Sequence, residues 1–261
     1  MKIRKLIQIL VLTGINSFAS AQGAGNGHRH AVSFAGYFGS GDFGLSRNTD
    51  IQYFPVRYEY DNSNWGFQAL VPYLKVEGPG AVLINLGGVN QAVAGDEVTQ
   101  ESGLGDIVGS VIYHVPATDN SALFLDVRLD IKLPTADENK ALGSGELDLN
   151  LQLDASRYWR ELLLFASVGY SVRGNSTLFP DLKDGAYLQL GAARSLTESI
   201  SVGALIDYRE AASTLTDDIA EAGPYVNWQL DDNWSFTAFS LFGFTDASVD
   251  YSVLGQLRFS F

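Results

Sequence analysis

Charged and aliphatic side chains alternate in the segment FLDVRLDIKL, residues 124–133. From Leu125 onward every second residue is Leu, Val or Ile, and between them stand Asp126, Arg128, Asp130 and Lys132. Successive side chains of a β-strand point to opposite faces. The segment is therefore predicted to form a strand with one aliphatic face and one charged face. Closely spaced carboxylates and cations could perform acid–base chemistry or form a polar wall.

The following segment, ELDLNLQLDAS at 146–156, repeats the pattern with Glu146, Asp148, Asn150, Gln152 and Asp154 on its polar face. In a hairpin the polar faces must coincide, and the register that we predict places Lys132 opposite Glu146 and Arg128 opposite Asn150. A glycosidase uses one pair of carboxylates at a set separation. Here carboxylates recur at every second position beside Arg and Lys, which favours a solvated polar wall.

The three histidines and the lack of cysteine limit other chemistry. His28 and His30 precede the first predicted strand without a carboxylate nearby in sequence, so no metal site is predicted. A membrane-embedded lipid hydrolase, the third hypothesis, would need a Ser–His pair near the outer rim and exposed to lipid. His114 falls at the predicted periplasmic end and points inward with Ser110, which argues against it. The absence of cysteine removes disulfides, thiol catalysis and zinc–thiolate sites. We predict no catalytic residue and no cofactor.

The N-terminus has the features of an exported protein. Basic residues precede the apolar run 6–12, and Ala19-Ser20-Ala21 forms a small-x-small cleavage site. We predict a signal peptide at 1–21, cleaved after Ala21, a short periplasmic segment at 22–30 and one β-domain at 31–261. The chain has a formal net charge of −13, which argues against nucleic acid as a partner because phosphate binding needs a basic surface.

Period-2 alternation recurs from residue 31 to the C-terminus, and helical periodicity is absent. We predict twelve strands, at 31–38, 51–60, 65–76, 104–114, 122–133, 146–157, 162–173, 185–195, 199–210, 221–230, 234–244 and 249–261. Connections after even-numbered strands are short and most of the others are longer, as in outer-membrane barrels. The prediction is an all-β, antiparallel up-and-down transmembrane barrel with both termini in the periplasm. A soluble β-sandwich, the alternative, does not explain the signal peptide and the loop alternation together.

Aromatic residues support a membrane location. The four tryptophans, Trp65, Trp159, Trp228 and Trp234, fall at the predicted periplasmic strand ends, where aromatic girdles meet the membrane–water interface. The last strand alternates up to a terminal Phe261, which resembles the signal that the barrel-insertion machinery recognises. The expected partners are therefore this machinery, outer-membrane lipid and lipopolysaccharide.

Four short motifs stand out in the sequence: Val71-Pro72-Tyr73, Gly103-Leu104-Gly105-Asp106, Leu133-Pro134-Thr135, and Gly143-Ser144-Gly145 followed by Asp148. With these motifs, segments 102–115 and 130–156 resemble the outer-membrane barrel family named for the meta-pathway of phenol degradation. The resemblance implies transport of small, often hydrophobic or aromatic molecules. It also implies structural roles for three residues: Pro134 and Gly145 shape the outer rim, and Asp106 ties down the start of its strand.

The leading hypothesis is a passive outer-membrane channel for small solutes, in which charge and bore set selectivity. The alternative is a closed structural or adhesive barrel whose interior is filled by the charges. Eleven side chains are predicted to line the lumen: Arg57, Glu59, Asp126, Arg128, Asp130, Lys132, Glu146, Asp148, Asn150, Gln152 and Arg258.

Overall fold

The computed structural model describes residues 28–43, 47–79, 82–86, 89–93, 98–116, 123–137, 140, 142–176, 182–213 and 216–261. The predicted signal peptide and most of the predicted periplasmic segment lie outside these residues. In the part of the chain that is described, no helix is long and apolar enough to cross a bilayer.

The fold consists of β-strands joined by turns and loops. The strands are β1 Arg29–Gly41, β2 Thr49–Asp61, β3 Trp65–Pro79, β4 Val82–Leu86, β5 Val89–Val93, β6 Val98–Leu104, β7 Ile107–Val115, β8 Leu123–Leu133, β9 Asp148–Trp159, β10 Leu162–Val172, β11 Gly185–Ser195, β12 Ile200–Arg209, β13 Ile219–Gln229, β14 Trp234–Gly243 and β15 Tyr251–Ser260.

The main sheet closes on itself as an antiparallel barrel. Consecutive strands pair from β1 to β3 and from β7 to β15, and β1 also pairs with β15. Strands β6 and β7 occupy one barrel position, because β6 pairs with the second half of β3 and β7 with its first half. The barrel therefore has twelve positions around its ring, and the predicted fold class is confirmed.

The two ends of the barrel differ in their connections. Turns such as 62–64, 160–161 and 196–199 join strands at one end, which also holds both chain ends of the barrel, since the His30 N–H donates to the Phe261 carbonyl at 3.1 Å. We call this the termini end. The four tryptophans lie there, at or within one residue of the ends of β3, β9, β13 and β14. Longer connections, including 134–147 and 173–184, lie at the opposite end, called the loop end.

The long connection after β3 contains structure that the sequence pattern did not predict. Strands β4 and β5 form a two-stranded hairpin of their own, and β6 extends the fourth barrel position to Val98 rather than to residue 104. Cα atoms of β5 lie within 8 Å of Cα atoms of β9. The hairpin therefore lies close to β9, a strand that is not adjacent to β3 in the ring.

Burial follows the predicted alternation. In β8 the charged residues are buried and the aliphatic residues between them are partly or largely exposed, and β9 repeats this arrangement. The outer face is rich in exposed aliphatic and aromatic side chains, for example Leu151 and Phe34. The inner face also has an apolar cluster, formed by Tyr37, Ile51, Tyr53, Leu74, Val76, Leu142, Leu163, Phe165, Ala193, Leu205, Tyr225, Phe239, Leu241, Val249 and Leu254.

Glycine on the inner face of β10 allows the close approach of a tyrosine ring. A Cβ atom at Gly169 would lie 2.2 Å from Cζ of Tyr187, the register partner of Gly169 on β11. The missing side chain lets the tyrosine lie against the wall and donate its hydroxyl to Gln152 on β9. One glycine therefore sets the contact between three adjacent strands.

We predict that Gly169→Ala lowers the unfolding temperature of the barrel, because the added methyl displaces Tyr187 and breaks its hydrogen bonds. Overpacking of this kind costs about 1–3 kcal/mol. The measurement is the temperature at which the folded protein loses its heat-dependent gel mobility. Gly109→Ala is the matched control, since its Cβ would meet no atom within 4 Å. Equal unfolding temperatures for the two variants would contradict this account.

Candidate functional site: the charged inner wall

The polar faces of β8 and β9 meet in one ladder, which we call the charge ladder: Asp126, Arg128, Asp130 and Lys132 with Asp148, Asn150, Gln152 and Asp154. The predicted parity is correct, but the predicted register is wrong by two residues. Lys132 pairs with Asp148 and Arg128 with Gln152. Glu146 lies before β9, partly exposed, where its backbone N–H meets the Ser144 hydroxyl at 3.4 Å. The connection 134–147 uses the two residues that the prediction assigned to the strand.

Arg128 lies at the centre of the ladder. Its Nε donates to Asp130 Oδ1 at 2.6 Å, and its Nη2 donates to the Ser110 hydroxyl of β7 at 2.9 Å. The other carboxylate oxygen of Asp130 accepts from the amide of Asn150 at 2.9 Å. A buried charge is costly unless it is paired and hydrogen-bonded. Three adjacent strands thus supply the partners that allow a guanidinium group to remain inside the barrel.

Toward the termini end, the ladder continues through Gln152 and Asp154. The Gln152 amide and the Ser167 hydroxyl both donate to Asp154 Oδ1, at 2.7 Å and 2.5 Å. Asn150 donates to the hydroxyl of Tyr187 at 2.9 Å. These contacts cross from β9 to β10 and β11, so the polar network extends past the hairpin that the sequence pattern identified.

Toward the loop end, Lys132 holds a compact ionic group that we call the Lys132 cluster: Asp106, Lys132, Ser144 and Asp148. The ammonium Nζ donates to Asp106 Oδ2 at 2.9 Å and to Ser144 Oγ at 2.5 Å, and it lies 3.0 Å from Asp148 Oδ2. The Lys132 side chain is 0% exposed. One cation on β8 therefore joins the break between β6 and β7, the start of β9 and the connection 134–147.

Asp106 also anchors the backbone of that connection. Its Oδ1 accepts from the N–H groups of Thr135 and Ala136, both at 3.0 Å, and the Thr135 hydroxyl accepts from Ile107 N–H at 2.9 Å. The same loop carries Leu142, which is fully buried in the inner apolar cluster. Asp106 lies at the break between β6 and β7, so the predicted structural role of this residue at the start of its strand has a direct geometric basis.

Arg57, Glu59 and Arg258 form a second ionic group near the termini end. Arg258 Nη2 lies 2.8 Å from Glu59 Oε2, and Arg57 Nη1 lies 3.8 Å from Glu59 Oε1. Strand β1 lies between β15 and β2 and presents only Ser33 at this level, since Ser33 is the register partner of both arginines. A small residue on β1 lets the two neighbouring strands share one carboxylate.

His114 is held between two carboxylates on the inner face. Its Nδ1 lies 2.7 Å from Asp126 Oδ1, and its Nε2 lies 3.4 Å from Asp61 Oδ1. Ser110, which a hydrolase would need beside His114, instead accepts a hydrogen bond from Arg128. The described residues contain no group of three or more His, Cys, Asp or Glu that could hold a metal ion. The geometry gives no support to a Ser–His nucleophile.

Ten of the eleven predicted lining residues occupy inner-face strand positions, and Glu146 lies in the loop. The prediction omitted further inward polar residues that follow the same period-2 pattern: Asp61, Gln68, Asp154, Tyr187, Gln189, Asp207 and Arg209. Arg209 and Asp207 form an ion pair at 2.5 Å on β12. Alternation around "IDYR" would have identified this pair. Buried polar side chains therefore occur on strands around the whole ring and are not confined to one hairpin.

A closed antiparallel barrel with an apolar outer face and a polar inner network defines the class of porin-like β-barrels. A family model described as "Putative MetA-pathway of phenol degradation" matches residues 19–261. The chain belongs to this family.

Solved structures of other proteins share the fold. A KdgM porin matches with a TM-score of 0.54 at 9% identity, covering 88% of this chain and 99% of the porin. The same figures for coverage and identity apply to a KdgM porin in complex with disordered oligogalacturonate, with a TM-score of 0.51. The P. putida toluene transporter TodX matches with a TM-score of 0.48 at 8% identity, covering 91% of this chain and 90% of TodX. No curated protein sequence matched. At 9% identity the likeness to the KdgM porins concerns the fold.

We predict that Lys132→Met loosens the loop end, because Asp106 and Asp148 stay buried without their shared cation. Breaking a buried ion pair costs about 3–5 kcal/mol. We expect a lower unfolding temperature and faster proteolysis within 134–147. The control is Lys75→Met, whose ion pair with Glu77 is longer, at 3.9 Å, and partly exposed, and exposed pairs contribute about 0–1 kcal/mol. Protease resistance equal to that of the control would contradict the role of the cluster.

Proposed function

We propose that the protein is a passive outer-membrane channel for small solutes. The observation that carries this proposal is the polar network on the inner face of a closed barrel with an apolar exterior. Membership of the family and the porin-like fold support it. The outer face fits lipid and lipopolysaccharide, and the strand ending at Phe261 fits recognition by the insertion machinery. The termini end is then periplasmic, in agreement with the predicted cleavage after Ala21.

We infer that the charge ladder sets the selectivity of this channel. Charged groups along a pore favour or exclude ions by their sign and spacing. The proposed lining residues are Arg57, Glu59, Asp126, Arg128, Asp130, Lys132, Asp148, Asn150, Gln152 and Arg258, joined by Asp154, Asp207 and Arg209. Transport down a gradient through such a wall needs no cofactor and no catalytic residue.

The depth of burial suggests that passage requires movement of the loop end. Lys132 and Leu142 are both 0% exposed, so neither borders a wide water-filled path in this conformation. The Lys132 cluster fixes the connection 134–147, and this connection places Leu142 against the inner apolar cluster. We propose that release of this loop widens the path.

Conductance in planar bilayers tests the channel. We expect wild-type protein to conduct in potassium chloride and Lys132→Met to conduct more, since the freed loop no longer fixes Leu142 inside the barrel. Lys75→Met should conduct like wild type. Folded protein that neither conducts nor admits solutes into liposomes would exclude an open channel.

Ion selectivity tests the ladder. We expect Arg128→Ala to shift the reversal potential in a potassium chloride gradient toward cation preference, because a positive charge leaves the lining. The matched control is Arg194→Ala, whose ion pair with Glu161 is largely exposed at the termini end. The alternative, a closed structural barrel filled by its charges, predicts that Arg128→Ala lowers stability and leaves every flux unchanged.

A further inference from the structure

Proline interrupts the hydrogen-bonded ladder between β1 and β2. Register pairs run from Arg29 to Phe34, which pairs with Val56, and resume only at Tyr37, which pairs with Tyr53. Pro55 lies in this gap and has no N–H to donate. Proline inside a sheet is normally confined to edges and bulges for this reason. The backbone pairing between β1 and β2 is therefore interrupted near the middle of both strands.

A second interruption lies on the other side of the same hairpin. Pro72 is the register partner of Pro55 across the continuous β2–β3 ladder. On its far side, the pairing of β3 passes from β7 at Leu70 to β6 at Tyr73, so Pro72 faces the break between β6 and β7. One hydrogen bond, from Gly105 N–H to the Pro72 carbonyl at 2.9 Å, spans this break. The β2–β3 hairpin is thus flanked by an interrupted ladder on both sides at one level.

Another proline beside a pairing gap, Pro224, has an interrupted ladder on one side only. Pro224 on β13 pairs normally with Ala204 on β12, and only the β13–β14 ladder is interrupted, between Ala222 and Tyr225. A Cβ atom at Gly223 would lie 1.7 Å from the Ser240 carbonyl oxygen, so the two backbones are in close contact there. Of the positions compared, only the β2–β3 hairpin, with Pro55 and Pro72, therefore has an interrupted hydrogen-bonded ladder on both sides.

The prolines also mark a change in the chemistry of the inner face. On the loop side of Pro55 and Pro72 the inner face is apolar, with Tyr53, Ile51, Leu74 and Val76 in the buried cluster. On the termini side it carries Arg57, Glu59, Asp61 and Gln68. An apolar solute that enters from the loop end would meet buried charges at this level. Such contact is unfavourable, because an apolar solute cannot replace the water or hydrogen-bond partners that the charged groups would lose.

The outer face beside the gap is aromatic and exposed. Phe34, Phe38 and Phe54 are 54%, 47% and 36% exposed, and the rings of Phe38 and Phe54 meet edge to face at 5.6 Å. Between them Gly36 has no side chain, and Ala35 on the inner face is small and packs against the apolar cluster. Only small or apolar groups therefore separate the inner cluster from the outer surface at this point.

We propose that apolar solutes leave the barrel sideways into the bilayer, between β1 and β2 at the level of Pro55. This inference rests on the proposed channel function and adds a second exit to it. Movement of the β2–β3 hairpin away from β1 opens the passage. At the level of Pro55 it breaks fewer ladder hydrogen bonds than it would in an uninterrupted ladder, because the donor of Pro55 is already missing. Ions and polar solutes, which the bilayer does not accept, continue past Arg57 and the charge ladder to the termini end.

A disulfide across the gap tests the passage, since the chain has no other cysteine. Phe34 and Val56 are register partners on the exposed outer face, and antiparallel partners lie within the Cα separation that a disulfide needs. The control is a disulfide between Leu129 and Leu151, register partners on the outer face of the continuous β8–β9 ladder. The readouts are uptake of radiolabelled toluene by cells expressing each variant and potassium chloride conductance of the purified protein.

We expect the oxidised Phe34→Cys/Val56→Cys variant to take up toluene at the empty-vector level, to recover uptake on reduction with dithiothreitol, and to keep wild-type conductance. The oxidised Leu129→Cys/Leu151→Cys control should keep wild-type toluene uptake and wild-type conductance. Wild-type toluene uptake by the oxidised variant would overturn the sideways passage and leave the channel intact. Wild-type protein that carries neither toluene nor ions would instead overturn the proposed function.

A proline replacement provides a second test that needs no cross-link. Pro55→Val supplies the missing N–H donor and a residue type that favours strands, so we expect a higher unfolding temperature and reduced toluene uptake at unchanged conductance. Pro224→Val is the control and should leave toluene uptake unchanged. A folded, conducting Pro55→Val protein with wild-type toluene uptake would contradict the proposal.

Discussion

Closure of the hydrogen-bonded ring is the constraint on which the rest of this structure depends. A sheet in contact with hydrocarbon has no water to satisfy an open edge, so every strand needs two neighbours. The pairing of β1 with β15 supplies the last of these contacts. Once the ring is closed, alternation along each strand assigns every side chain to the inside or the outside. The polar residues that alternate with lipid-facing ones must therefore lie inside the barrel. Pairing their charges and hydrogen-bonding groups there is the second requirement of the fold.

The interior meets this requirement by sharing partners between strands. Lys132 serves two carboxylates, Glu59 serves two arginines, and Arg128 contacts groups from its own strand and from β7. Such sharing is geometrically demanding, because replacing one member leaves others buried without compensation. It also joins positions on the ring that hydrogen bonds of the backbone do not join. The same network that is proposed to select solutes therefore contributes to holding the wall in shape.

The sequence pattern predicted the barrel, its twelve positions around the ring and the inward face of the charged residues in β8 and β9. A period of two is sufficient for this, since it needs no knowledge of neighbouring strands. It could not predict the register of β8 and β9 beyond its parity, because Glu146 and Asp148 are equivalent in the pattern. Which of them meets Lys132 depends on the connection 134–147. Asp106, from the break between β6 and β7, anchors the backbone of this connection at Thr135 and Ala136. The contacts of Asp61 with His114 and of Tyr187 with Gln152 likewise depend on ring neighbours distant in sequence.

The ladder between β1 and β15 has a consequence for biogenesis. Ala31 near the start of the domain pairs with Ser260 near its end, and contacts between residues so far apart along the chain are slow to form because loop closure must precede them. Until the last strand arrives, the nascent sheet has two free edges that can pair with any other extended chain. A chain truncated before β15 would therefore be prone to aggregate in the cell. The free edges need protection during assembly until β15 pairs with β1.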